Sequence, residues 1–449
     1  MRSGACACCA ATDRYAEISG LAVTGVTLGD SRIAQAPAAV VVRAQTLPEF
    51  TGRGSVIAAL FALVVAGCAV LPRNATPPEL MNEAVIPGMP DIRAPAGQPD
   101  TAIADDLLKS FSQETPEEFP IGPDGYVHYA HLALSGGGPN GAFGAGFLKG
   151  WSKTGQRPLF KIVTGVSTGA LIAPFAFLGA KYDDELREFY TTTSSRHIFR
   201  ILSIIPQLLI GESFADTGPL SALIAQHVTP ELLSEVAAVH NRGRRLYVGT
   251  VDLDSQSFVV WNMGLIAASG RPEALDLFRK VLLASSSVPV AFPPVYFDVD
   301  AGGSRYDEMH VDGSVGTRVF YSGGLFSFAA LRAAGGRAPG REDIFIVHNG
   351  QLLPVGESTR RSLRDIALRS FDTVGKSAII GDLFRIYALS LREGASYHWI
   401  SIPEGVDLQG SEVFDQKIMS ELYAVGFRIA TEGPVWATMP PGTRGLPEP

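Results

Sequence analysis

The sequence predicts a three-layer α/β/α domain built on a mainly parallel central sheet. Three observations predict it. Short apolar strand-like runs alternate with helical patterns along the second half of the chain. A glycine-rich turn, Ser135-Gly136-Gly137-Gly138-Pro139-Asn140-Gly141, ends the first strand and opens a helix. A second strand–turn–helix unit carries its first glycine, Gly165, 29 residues after Gly136. Composition agrees: 449 residues, 46% hydrophobic and 18% charged, are ample for a packed core. A net charge of −8 without any Lys/Arg-rich run argues against nucleic acid as a partner. No apolar run reaches 18 residues, which argues against a multi-span membrane protein.

Taken in order, the chain begins with a leader. Cys6, Cys8 and Cys9 have no nearby histidine or fourth cysteine to complete a zinc site. Val56–Val70 is continuously apolar, follows Arg53, and is too short to span a bilayer comfortably, so it suits a secretory h-region; a buried helix is the alternative. Its end, Val65-Ala66-Gly67-Cys68, is similar to the bacterial lipobox, which implies cleavage before Cys68 and lipid on its sulfur. Ala69 rather than Asp after Cys68 implies the outer membrane by the same likeness. Because about 50 residues precede this leader, translation is expected to start nearer Val42 or Leu47. Residues 1–67 are thus read as leader. From Leu71 to Gly125 there are ten prolines in 55 residues, so residues 68–126 are read as a tether with a short helix near Ala104–Phe111. The catalytic domain is expected over 127–435 and a loose tail over 436–449.

Within that domain, His128–Leu134 reads as a strand, and Phe143, Phe147, Leu148 and Trp151 share one face of the helix that follows. The turn between them is not a P-loop, because no Gly-Lys-Ser/Thr ends it. Gly136, Gly138 and Gly141 satisfy a dinucleotide fingerprint. However, no Asp or Glu lies between Gly141 and Tyr182 to hold a ribose. An oxyanion hole fits better, since consecutive glycines ahead of a helix can turn several N–H groups into one concavity. Leu159–Val163 reads as the second strand. Gly165-Val166-Ser167-Thr168-Gly169 then forms a nucleophile elbow before an apolar helix, Ala170 to about Gly179. The two glycines are required because side chains there would collide with strand and helix. A serine needs a base. Asp312, in His310-Val311-Asp312-Gly313-Ser314, is the candidate, although Asp-Gly also simply caps turns. Ala284–Val295, rich in serine and bounded by proline, reads as a loop near a site.

With SGGGPNGAFGAG, GVSTG, ASSSVPVAFPPV and DGS in this order, the chain resembles the patatin-like phospholipase family over roughly Ala130 to Val319. The resemblance implies the three-layer patatin-like fold and a serine acyl hydrolase acting on phospholipids or lysophospholipids without cofactor or metal. It implies Ser167 as nucleophile, Asp312 as base, and the backbone of Gly136, Gly137 and Gly138 as oxyanion hole. Two departures stand out: the family's loop commonly carries Arg or Lys where Asn140 stands, and its triplet is more often Asp-Gly-Gly or Asp-Gly-Ala. Two other readings remain at this level. A Ser-His-Asp triad would draw on His348, at the end of the strand Ile344–Val347, or on His398, and would suit small soluble esters. A lipoprotein whose hydrolase fold serves only binding is the third.

The remaining elements follow the same alternation. Strands are expected at Arg245–Leu253, Phe258–Trp261 and Asp343–Val347, and a helix at Glu273–Leu283. An amphipathic helix is expected through Phe414, Ile418, Leu422, Val425 and Ile429. Ile201–Ile210, apolar and broken by Pro206, reads either as core or as a membrane-contacting cap.

Overall fold

In the computed structural model, residues 72–96, 101–202, 212–321, 327–354, 356 and 358–443 are described. The leader, Cys68 and most of Ile201–Ile210 lie outside them. The main sheet has nine strands. They are β1 (Arg93–Pro95), β2 (Val127–Leu134), β3 (Phe160–Val166), β4 (Arg245–Asp252), β5 (Ser257–Asn262), β6 (Val295–Ala301), β7 (Ser304–Asp312), β8 (Gly340–His348) and β9 (Ser396–Ser401). The helices that matter most are α1 (Thr101–Ser112), α2 (Gly141–Lys153), α3 (Thr168–Leu178), α4 (Asp183–Thr192), α5 (Ala274–Ser285), α6 (Leu363–Glu393) and α7 (Gln416–Glu432).

The central strands β4-β3-β2-β8-β9 run parallel. Every residue of β3 and β4 is buried, as expected of parallel strands covered on both faces. Antiparallel strands complete the sheet: β5 beside β4 and β1 beside β5. β6 and β7 form a hairpin whose two-residue turn, Gly302-Gly303, has positive φ at both positions (54° and 77°), the conformation that glycine adopts without strain. One core, including Phe143, Phe147, Phe177 and Trp261, lies on one side of the sheet, and a second, including Phe111, Tyr129, Ile344 and Leu383, lies on the other. The three-layer α/β architecture is therefore present, with a parallel centre and antiparallel margins.

Each anticipated strand and helix is found, with ends displaced by a few residues. β3 runs three residues further, to Val166, because Gly165 and Val166 stay in register with Val248 and Gly249. Several elements are not anticipated, among them α4, the β6–β7 hairpin and α6. Val295, which the sequence places at the end of a loop, starts the β6–β7 hairpin. α6 spans 31 residues, but its apolar side chains lie both inward (Ile379, Leu383, Ile386) and outward (Leu363, Val374, Phe384), so no single stripe marks it.

The tether reading of 68–126 requires correction for its described part. β1 pairs with β5, and Arg73 bridges Asp254 and Asp307. Arg245 of β4 is fully buried, and Asp106 of α1 receives its Nε at 2.6 Å and its Nη2 at 2.9 Å. Lys161 of β3 donates to Glu114 at 2.5 Å. Buried cations of the central sheet thus depend on carboxylates from the proline-rich segment, because an unpaired interior charge is costly. The described part of the tail is corrected likewise: Trp436 packs on Phe147 and Trp151, Ala437 exchanges backbone hydrogen bonds with Trp399, and the indole of Trp399 donates to the Met439 carbonyl. No helix among the described residues is long and apolar enough to cross a membrane.

Candidate active site

Topology brings Ser167 and Asp312 together. The first part of β4 pairs with β3, so that Gly249 lies opposite Val166. There β3 stops, and β7 takes its place beside the rest of β4 from the opposite direction, with Thr250 opposite Asp312. Consecutive residues of β4 therefore align the last residue of β3 and the last residue of β7. Ser167 follows the first immediately.

Ser167 adopts φ 55° and ψ −125°, a strained backbone for a non-glycine residue and the hallmark of a nucleophile elbow. The steric reading of its glycines holds. A Cβ on Gly165 would approach the carbonyl oxygen of Gly169 to 2.4 Å, and one on Gly169 that of Leu134 to 2.3 Å. Ser167 precedes the first residue of α3, whose free N–H groups favour negative charge. Three serines lock the elbow. The Ser285 hydroxyl accepts from Ser167 N–H at 3.0 Å and donates to the Gly249 carbonyl at 2.7 Å. Ser286 donates to the Ser167 carbonyl at 3.4 Å, and the Ser287 carbonyl accepts from Asp312 N–H at 2.9 Å. The segment expected as a loop near a site is thus the end of α5 and its exit, and it fixes both residues.

Asp312 is completely buried. Burial pushes its carboxyl from 3.8 up to about 6, although contacts with the Ser167 hydroxyl and Ser314, and the charge of Arg318, pull it down. Its Oδ1 accepts Ser314 N–H at 2.7 Å, so it also caps the following turn. Oδ2 is buried without a hydrogen-bond partner, and the carboxyl interacts with the Ser167 hydroxyl.

The glycine loop is tied to the end of β8. Ser135 hydrogen-bonds His348 Nδ1 at 2.9 Å and accepts Asn349 N–H at 2.8 Å, while the Asn349 amide donates to the Ser135 carbonyl at 2.9 Å and accepts Gly144 N–H at 3.1 Å. Sequence reasoning missed Asn349; a polar residue directly after an apolar strand was the available signal. Gly137 has no room for a side chain, since a Cβ would meet the Asn349 carbonyl oxygen at 2.0 Å, and Gly138 has φ +56°. Gly136 differs from the other two: its N–H donates to the Arg318 carbonyl at 3.0 Å. Among the described hydrogen bonds, the amides of Gly137 and Gly138 are not consumed.

His348 bonds Ser135, not Ser167, and burial together with the charges of Lys376 and Arg318 lowers its pKa to about 3. His398 stacks on Phe345 beside Trp436, on the opposite edge of β8 from the glycine loop's strand. One cluster among the described residues has metal-ligand character: Asp252, Glu308 and His310. Arg93 already pairs with Glu308, and His310 hydrogen-bonds Thr250 at 2.9 Å and Glu308 at 3.2 Å, so these groups form a filled polar network with a resident cation. A surface cleft of about 930 Å³, lined by Lys149, Arg187, Tyr423 and Phe427, contains neither Ser167 nor Asp312.

An elbow serine beside a buried aspartate, next to a glycine loop in an α/β sheet, is an arrangement chemically able to carry acyl transfer. Residues 132–321 match the family model described as patatin-like phospholipase, so this stretch, which holds both Ser167 and Asp312, is similar to that family. No curated protein matches the chain. Among solved structures it is similar to VipD from Legionella pneumophila, with 12% identity over 70% of each chain and a TM-score of 0.29. It is also similar to human GIVD cytosolic phospholipase A2, with 10% identity over 73% of this chain and 62% of that one and a TM-score of 0.33.

Proposed function

We propose that the protein cleaves ester-linked fatty acids from phospholipids or lysophospholipids through a Ser167–Asp312 dyad. The observation that carries this reading is the meeting of the strained Ser167 with the fully buried, raised Asp312 at the β3–β7 junction. Ser167 Oγ attacks the ester carbonyl carbon while Asp312 takes its proton. The carbonyl π electrons move to oxygen, and the amides of Gly137 and Gly138 donate to that oxyanion. Collapse expels the alcohol, which leaves with the proton from Asp312. Water then gives a proton to Asp312 and attacks the acyl-enzyme; the second collapse returns the proton to Ser167. Gly136 serves the hole indirectly, because its N–H anchors the loop to Arg318.

A dyad is favoured over a triad by His348, whose Nδ1 is held by Ser135. The lipobox-like Val65–Cys68 supports attachment to a bacterial envelope membrane, on the outer membrane, through lipid on Cys68. Palmitate incorporation into the wild type and not into Cys68→Ser would support that placement; incorporation into both would exclude it. The function itself is tested by incubating purified protein with a panel of phospholipids and lysophospholipids in micelles, with products read by mass spectrometry. Release of free fatty acid by wild type and none by Ser167→Ala is expected. Equal release by both, or none by the wild type, would contradict the reading.

A further inference from the structure

The glycine loop carries no cation: between Gly136 and Gly141 stand only Gly137, Gly138, Pro139 and Asn140. A cation reaches the site from elsewhere. Arg318 lies six residues beyond Asp312. Its main chain is pinned on both sides, the carbonyl accepting Gly136 N–H at 3.0 Å and the N–H donating to Asp382 of α6 at 2.6 Å. The guanidinium stacks over Phe371 at 5.1 Å and lies against Gly375, where a Cβ would come within 1.5 Å of Nη2. Gly375 thus leaves a groove on α6 for this side chain.

What the guanidinium lacks, among the described residues, is a hydrogen-bonded or ion-paired partner. Its Nε is buried without a hydrogen bond, and among the described residues no ion pair involves it. The carboxylates in electrostatic reach are Asp312, Asp372 and Asp382. Asp382 already takes Arg385 at 2.9 Å and three donors from residues 317–319, and Asp372 pairs with Arg369 at 3.4 Å. Asp312 has its Oδ1 on Ser314 N–H, and its carboxyl interacts with the Ser167 hydroxyl. A partly buried guanidinium with unfilled donors is costly to hold, and planar donor forks suit phosphate oxygens.

We propose that Arg318 is a specificity residue of the active site, receiving the phosphate group of an anionic lipid ester whose acyl carbonyl lies at Ser167. This rests on the lipid-ester hydrolase reading above and assigns the residue that reads the phosphate of those substrates. The fold supports the assignment geometrically. The backbone of Arg318 touches the glycine loop directly, a Cβ on Gly136 would lie 3.2 Å from Ser167 Cβ, and the Arg318 charge acts on Asp312, so Arg318 is anchored beside the loop that flanks Ser167.

The test compares kcat/KM on phosphatidylglycerol in mixed micelles with kcat/KM on p-nitrophenyl butyrate, which has no phosphate. It is run at pH 8, well above the value of about 6 to which burial raises the Asp312 carboxyl. For Arg318→Gln, the loss on phosphatidylglycerol should exceed the loss on p-nitrophenyl butyrate by about 10- to 100-fold, the usual scale of a charged hydrogen bond. Arg318→Lys should restore part of that difference. Gly375→Ala, which keeps the charge but crowds the guanidinium, should shift the ratio in the same direction. Equal losses on both substrates would overturn the proposal and leave the dyad standing. Wild-type turnover of p-nitrophenyl butyrate without turnover of phosphatidylglycerol would do the same. Turnover of neither substrate by a wild type that also fails to react at Ser167 would remove the hydrolase reading, and the proposal with it.

Discussion

At the residue scale, the site's behaviour turns on Asp312. A base acts only when ionised, so the acid limb of kcat/KM should follow its carboxyl and fall below about pH 6. A profile flat down to pH 4.5 would exclude this base. The same burial predicts a conflict with stability. A carboxyl raised from 3.8 to about 6 favours the folded state while protonated; that advantage is complete below 3.8 and is lost as pH rises through about 6. The ionised group therefore costs roughly 3 kcal/mol of folding free energy at pH 8. Asp312→Asn should lose hydrolysis yet melt at higher temperature than wild type at pH 8, with the gain disappearing near pH 4. Gly169→Ala tests the elbow. Its Cβ would press on the Leu134 carbonyl, and an ångström of displacement at the nucleophile should reduce kcat by about 10². His348→Ala, by contrast, should retain far more activity than Ser167→Ala, since His348 supports Ser135 rather than the nucleophile.

At the scale of elements, the glycine loop, the elbow and the Asp-Gly-Ser turn were legible because each needs residue types that leave a short local signature. Gly165, Ser167 and Gly169 are dictated by one turn. The partners that position them were not legible, since they arrive from far along the chain. Ser285 reaches the Ser167 amide across 118 residues and Asn349 reaches Ser135 across 214. Arg318 at the site depends on a glycine of α6, a helix whose apolar residues point both ways. The proline-rich segment misled for a related reason. Proline density opposes regular structure locally but does not prevent α1 from docking its acids on β3 and β4. Asp106→Ala should therefore destabilise the whole domain by about 3–5 kcal/mol, because it strands the buried Arg245. A chemical-denaturation midpoint unchanged by that substitution would show that the segment is dispensable.

At the scale of the molecule, Ser167 and Asp312 lie where a parallel strand ends and an antiparallel one replaces it beside β4, and the glycine loop is tied down by the end of β8. All of the described residues lie in one compact unit, so the catalytic geometry is a property of the entire sheet, its proline-rich flank included. A chain beginning at Val127 should fail to melt cooperatively, whereas one beginning at Pro72 should unfold like the full-length protein, as followed by circular dichroism.

The central claim is that Ser167 is a nucleophile activated by Asp312. Its most direct test is labelling of the folded protein with a fluorophosphonate probe, followed by peptide mapping at pH 8. The account predicts one adduct, on Ser167, absent in Ser167→Ala and strongly slowed in Asp312→Asn. An adduct on another serine, or none on a wild type shown to be folded, would contradict it.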